Sequence, residues 1–159
     1  MDKWFLSNKK ADFSAIGKKF GISPITAKII VNRGLTDETQ IEKYLYGSLK
    51  DLHDPLEMKD MDRLAEILKG DIDHRRHIRV IQDYDVDGCM SGYILVRAIN
   101  ECGGVDDFDV PDRSEGYGIN DRIVDDAVDD GVDTILTCDN GIAAIDVIKR
   151  ARQKGLKVI

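Results

Sequence analysis

This sequence is short of the residues that staple a fold or anchor it in a bilayer. Its three cysteines, Cys89, Cys102 and Cys138, are an odd number without a Cys-x-x-Cys pair. That spacing excludes a disulfide framework and a cysteine-built zinc site. All three have apolar neighbours and read as small core residues in a reducing cytoplasm. No apolar run approaches the ~20 residues that cross a bilayer, and the N-terminus meets Lys9 and Lys10 before a signal core can form. No membrane partner is expected. The three histidines, His53, His74 and His77, lack ligand spacing and read as structural or surface residues.

Net positive charge is also missing. The formal net charge is −7, unevenly spread: residues 1–50 hold 9 Lys and Arg against 5 Asp and Glu, a net of +4, and residues 51–159 hold 14 against 25, a net of −11. The global electrostatic footprint of a nucleic-acid binder is therefore absent. Divalent cations would cancel part of the acidic excess, and only the basic N-terminal stretch offers itself to phosphates. What is present is enough apolar residue, 42% over 159 positions, for one good core or one domain with an appendage.

Residues 1–76 read as a helical lead-in. Apolar spacing and stop signals place helices over 13–20 before Gly21, from Ser23-Pro24 to Gly34, through Ile41, Tyr44 and Leu45, and over about 60–69. From residue 77 strands and helices alternate. Strand 78–82 leads to a helix through Met90, Ile94 and Ile99. Strand 107–110 leads to Pro111, a Gly-rich loop and a helix over 120–129. Strand 133–138 leads to a helix through Ile142, Ile145 and Ile148, and a fourth strand starts at Leu156. Alternating β and α predicts an α/β domain with a parallel sheet and right-handed crossovers. The chain stops within that fourth strand, so a fragment with an incomplete domain over 77–159 is expected. Ligands in such sheets bind outside the carboxyl ends of the strands.

The acidic residues fall at those ends. Asp83-Tyr84-Asp85-Val86-Asp87-Gly88 follows the first strand, and Asp139-Asn140-Gly141 follows the third. Like charges this close disfavour one another, and hard divalent ions take oxygen ligands. Two residues apart in extended chain, Asp85 and Asp87 are expected to point to one side. Asp-x-Asp-x-Asp-Gly opens an EF-hand calcium loop, but the twelfth position, where that loop needs Glu, is Ile94. A haloacid-dehalogenase-type phosphatase also uses Asp-x-Asp-Gly after a strand, yet it expects Thr or Val where Cys89 stands and gives Asp83 no role.

The stretch from Val80 to Ser91 resembles the first motif of the DHH phosphoesterase superfamily. Val110-Pro111-Asp112-Arg113-Ser114-Glu115-Gly116-Tyr117-Gly118 is similar to the second motif of its RecJ branch, and Thr137-Cys138-Asp139-Asn140-Gly141-Ile142 to the third. Leu52-His53-Asp54-Pro55 and Lys59-Asp60-Met61 resemble the RecJ lead-in. Gln82 stands where that branch usually has Gly. Asp112 stands where it usually has Asn, adding negative charge beside a proposed phosphate loop. The Asp-His-His motif that names the superfamily normally follows the fourth strand and is not in this chain.

The resemblance implies catalysis by Asp85, Asp87 and Asp139, with a two-metal Mn2+ or Mg2+ site on these three. Asp83 is a further ligand or a partner of the ligands; the alternative is a carboxylate capping backbone N–H groups. The resemblance also implies phosphate contact by Arg113 and Ser91; the alternatives are an isolated surface arginine and a serine that bonds only to backbone. Tyr117 would stack on substrate or pack in its loop, and Gly116 and Gly118 would permit a sharp turn. The implied activity is 5′→3′ exonuclease action on single-stranded DNA in repair and recombination, in the cytoplasm, with a repair helicase or single-strand-binding protein as possible partners. The chain alone would be inactive. Alternatives are a superfamily phosphodiesterase for short oligonucleotides or cyclic dinucleotides, and a non-catalytic binding module.

Overall fold

The computed structural model describes residues 3–5 and 9–159. Contacts divide the chain into two units, Met1–Glu57 and Met58–Ile159. In the first, α1 (Phe13–Phe20) starts where the Asp12 carboxylate accepts from the Ala15 N–H at 2.9 Å and stops at Gly21, which takes the left-handed conformation. Ser23 caps α2 (Pro24–Asn32) and Asp37 caps α3 (Glu38–Tyr46). Phe20, Ile30 and Ile41 form a small core with Ile16, Ile22, Leu35 and Leu45 around it.

The second unit contains α4 (Met61–Asp73), β1 (His77–Ile81), α5 (Val86–Glu101), β2 (Val105–Asp109), α6 (Asp121–Asp129), β3 (Thr134–Thr137), α7 (Ile145–Gln153) and β4 (Lys157–Val158). The strands are parallel in the order β2-β1-β3-β4, which makes the domain the expected α/β type. The seventh helix starts at Ile145, because the chain from Gly141 turns sharply before it. Strand alternation sorts the core into two layers. Ile78, Val80 and Leu136 face Leu68 and Ile72 of α4 and Leu95, Val96 and Ile99 of α5. Ile81, Ile135 and Val158 face Ile123, Val124 and Ala127 of α6 and Val147, Ile148 and Ala151 of α7. Arg79, inside the otherwise apolar β1, is buried against Asp107 and Asp130, with N–O distances of 2.7 and 2.9 Å. The Asp107 hydrogen bond, against the cost of burial, holds its guanidinium above the ordinary pKa.

The sequence reading ends the lead-in at residue 76, whereas the contacts divide the chain after Glu57, because α4 packs on the sheet. The Asp71 carboxylate of α4 is buried, accepts from Thr134 Oγ1 at 2.8 Å and binds Lys157 Nζ. Asp71→Ala leaves a half-buried ammonium and a buried hydroxyl without their acceptor. It is expected to cost the second unit about 3 kcal/mol, read as a lower urea midpoint by circular dichroism. An unchanged midpoint would show that α4 is held by its apolar face alone. Of the cysteines expected in the core, Cys89 and Cys102 are exposed, whereas Cys138 is half-buried and packs against the layer of Ile78, Val80 and Leu136. Cys89 and Cys102 lie at the two ends of α5, outside its packed stripe. No helix among the described residues is long and apolar enough to cross a membrane.

Topology creates a crevice. From β1 the chain crosses by α5 to β2, and from β3 it crosses by α7, on the opposite face, to β4. Adjacent strands β1 and β3 thus send their chains apart, leaving an opening outside their carboxyl ends.

Candidate functional site

Three loops frame this opening. In the first, after β1, Asp85 is the N-cap of α5, and its Oδ1 accepts from the Gly88 N–H at 3.0 Å. Asp87 lies in the first helical turn, where a carboxylate is favoured by the helix dipole. The expectation that Asp85 and Asp87 alternate along extended chain is therefore corrected: helix geometry begins between them. Asp83 is 1% exposed, and its Oδ1 has no hydrogen-bond partner among the described residues. The capping role open to Asp83 belongs to Asp85 instead. A buried carboxylate oxygen without a donor is costly, and a cation satisfies it. Ser91 Oγ donates to the Asp87 carbonyl, as a helical serine does, so its proton is occupied.

Gly88 lets α5 approach this loop. A Cβ there would stand 2.4 Å from the Asp83 carbonyl oxygen and 2.7 Å from its nitrogen. One turn later, a Cβ on Gly92 would meet the buried Gln82 side chain.

After β3, Asp139 takes a left-handed backbone with φ 58°, which Asp tolerates better than most residues. Asn140 donates from Nδ2 to the Ile81 carbonyl at 3.1 Å and the Cys138 carbonyl at 2.9 Å, tying the β3 exit to the β1 exit. Sequence reasoning gave Asn140 no role; an amide next to the acid at a strand end was the available signal. Desolvation, then the charges of Asp85, Asp87 and Asp83, push the Asp139 carboxyl above its ordinary pKa. The four acids thus share one electrostatic neighbourhood.

The third loop follows β2. Tyr117 is exposed, and its hydroxyl donates to the Asp139 carbonyl; desolvation, then Asp139, Asp83 and Asp85, raise its pKa. Gly116 and Gly118 have φ of 96° and 78°, and a Cβ on Gly118 would press on Asn140 Cβ at 3.3 Å. The Arg113 guanidinium lies over the Tyr84 ring, 4.6 Å from its centroid. Glu115 is bound by Arg122 Nε at 2.6 Å and accepts from the Asp112 N–H at 2.8 Å. Arg122 also reaches Asp109 at 3.2 Å, so it braces the loop against the end of β2. Sequence reasoning overlooked Arg122 because it lies seven residues beyond Glu115, outside the motif.

The donors suit a divalent ion. All are hard carboxylate oxygens, the orphaned Asp83 oxygen lacks a partner, and the repulsion on Asp139 is what a cation relieves. Yet no three His, Cys, Asp or Glu side chains among the described residues are gathered closely enough to hold one. Ligation by Asp83, Asp85, Asp87 and Asp139 needs them drawn together.

The DHH family, N-terminal domain, matches residues 77–159. The single-stranded-DNA-specific exonuclease RecJ of Bacillus subtilis (strain 168) is 31% identical over 159 residues, covering 99% of this chain and 20% of the relative. That of Escherichia coli (strain K12) is 30% identical over 140 residues, covering 87% of this chain and 24% of the relative. The chain thus spans about a fifth to a quarter of the length of these curated relatives. Among solved structures, an exonuclease RecJ bound to manganese superposes with a TM-score of 0.61 and 30% identity, over 67% of this chain and 28% of that one. RecJ from Thermus thermophilus, in complex with Mn2+, shares the fold with a TM-score of 0.59 and 23% identity, over 96% of this chain and 21% of that one.

Proposed function

Since the chain belongs to the DHH family, we propose that it is the N-terminal part of a RecJ-type exonuclease that hydrolyses single-stranded DNA from the 5′ end in repair and recombination. The observation that carries this reading is the acidic crevice between β1 and β3, where, among the described residues, Asp83 keeps an unpartnered buried oxygen and the Asp139 carboxyl is raised by desolvation and then by three neighbouring carboxylates. The relatives that match over 87–99% of the chain are named single-stranded-DNA-specific exonucleases.

Asp85, Asp87 and Asp139, with Asp83 behind them, would hold Mn2+ or Mg2+. Divalent ions held there would supply an activated water and neutralise charge on the phosphate. The remaining work falls to the chain's own residues. Asn140 and the Tyr117 hydroxyl hold the Asp139 turn against the β1 exit. Gly118 lets the loop after β2 lie against Asn140. Arg113 meets a phosphate of the bound strand, and Ser91 joins it only by releasing the Asp87 carbonyl. In this reading the enzyme acts in the cytoplasm, beside a repair helicase or a single-strand-binding protein.

Because no three donors among the described residues are gathered, the chain by itself is expected to bind Mn2+ weakly or not at all in calorimetric titration and to leave single-stranded DNA intact. Digestion by the chain alone that disappears in Asp87→Ala would refute this.

The deciding experiment uses the full-length protein on 5′-labelled and 3′-labelled single strands with Mn2+ or EDTA. Metal-dependent release of 5′-terminal nucleotides from single strands supports the proposal. Cleavage of dinucleotides or cyclic dinucleotides without digestion of longer DNA assigns the same site to small substrates. Binding of DNA without any cleavage assigns it to a non-catalytic module.

A further inference from the structure

Tyr84 stands between two acids of the first loop and has no part in the reading above. Its ring carries the Arg113 guanidinium at 4.6 Å. Three arginines set among the acids of the sheet behave differently: Arg79, Arg122 and Arg150 each bind carboxylates within 3 Å. Arg113 is flanked by Asp112 and Glu115 and faces a loop with three aspartates, yet among the described residues it makes no ion pair. Its contact is the aromatic face, and Glu115 is taken by Arg122.

The difference matters chemically. A carboxylate partner would engage the N–H edge of the guanidinium and neutralise it. An aromatic face holds the plane by attraction to the π-system and leaves that edge open to a bidentate anion. In a unit with a strongly acidic balance, an arginine kept this way is protected from the neighbouring acids.

We propose that Tyr84 is a positioning residue: its ring keeps Arg113 off the carboxylates of the crevice and presents the guanidinium edge to a phosphodiester of the bound strand. The inference rests on the nuclease reading and goes beyond it by giving Tyr84 a task that requires a ring but no hydroxyl.

The test uses the full-length protein with Tyr84→Phe, Tyr84→Leu, Arg113→Gln and the Leu/Gln double variant. Three quantities are read: KM and kcat on single-stranded DNA, and the salt dependence of DNA binding in EDTA, which needs no metal. Arg113→Gln is expected to reduce the slope of log K against log salt by about 0.7, the share of one single-strand phosphate. Tyr84→Leu keeps the bulk but not the π-face. It is expected to move the slope the same way and to raise KM about three- to tenfold with kcat nearly unchanged. Tyr84→Phe should match the wild type, and the double variant should be no worse than Arg113→Gln alone. A silent Tyr84→Leu beside an impaired Arg113→Gln overturns the proposal and leaves the phosphate role of Arg113 standing. Tyr84→Phe as impaired as Tyr84→Leu also overturns it, since the hydroxyl would then be the working group. A silent Arg113→Gln overturns the phosphate role and this inference together.

Discussion

Asp139→Asn is expected to abolish most nuclease activity while leaving the fold as stable as before or more so. Asparagine keeps the size of the side chain and, like aspartate, tolerates the left-handed backbone at φ 58°. What it removes is one charge from a group of four. Activity of the full-length enzyme should fall about 10²–10³-fold, the loss typical when one preorganised electrostatic group is deleted. Stability should follow the opposite sign. The folded-state pKa of Asp139 is raised, by desolvation and then by Asp85, Asp87 and Asp83. Folding is therefore favoured below the ordinary carboxylate value of 3.8 and loses that contribution as pH rises through the raised value. The variant should lack this decline. Urea unfolding at several pH values, beside exonuclease rates with Mn2+, checks both halves. A variant that loses stability and activity together would mark Asp139 as structural.

Gly88→Ala should show the reverse pattern, with fold and activity lost together. Its Cβ would stand 2.4, 2.7 and 2.8 Å from the carbonyl oxygen, nitrogen and carbonyl carbon of Asp83. These are backbone atoms at the end of a central strand and cannot swing aside. The start of α5 must retreat, taking the Asp85 cap and Asp87 with it. Overpacking of this kind costs about 1–3 kcal/mol, visible as a lower urea midpoint of the isolated chain. In the full-length enzyme the displaced acids should reduce hydrolysis as severely as Asp139→Asn does. Gly92→Ala provides the contrast. Its Cβ meets mainly the amide end of Gln82, which can rotate, so a smaller loss is expected. Equal effects from the two substitutions would mean that the contact at Asp83 is not what Gly88 protects.

Much of this was legible from residue types alone. Alternating apolar residues, glycine stops and side-chain caps located the strands and helices to within a few residues. The carboxylates at the strand ends marked the crevice before any topology was known. Reading failed where two segments distant in sequence had to meet. Nothing in the sequence paired Arg79 with Asp107 and Asp130, which lie 28 and 51 positions away. Helix α4 read as lead-in because its reason for docking, the Asp71 link to Thr134 and Lys157, spans more than sixty positions. Asp85 and Asp87 were misplaced for a local reason: capping by Asp85 starts the helix one residue earlier than extended alternation allows.

The kind of chemistry available was already set by residue types and their spacing, which supply hard oxygen donors, an arginine and glycine turns. Residue spacing also determined the α/β class, since periodicity is a local consequence of backbone geometry. Only the tertiary structure decided which donors remain unspent. Asp85 is used as a cap, Ser91 by its own helix and Glu115 by Arg122, while Asp83 keeps a free buried oxygen and Arg113 a free guanidinium edge. Those allocations depend on which groups compete for each hydrogen bond in space, and that competition is settled only when the strands are laid side by side.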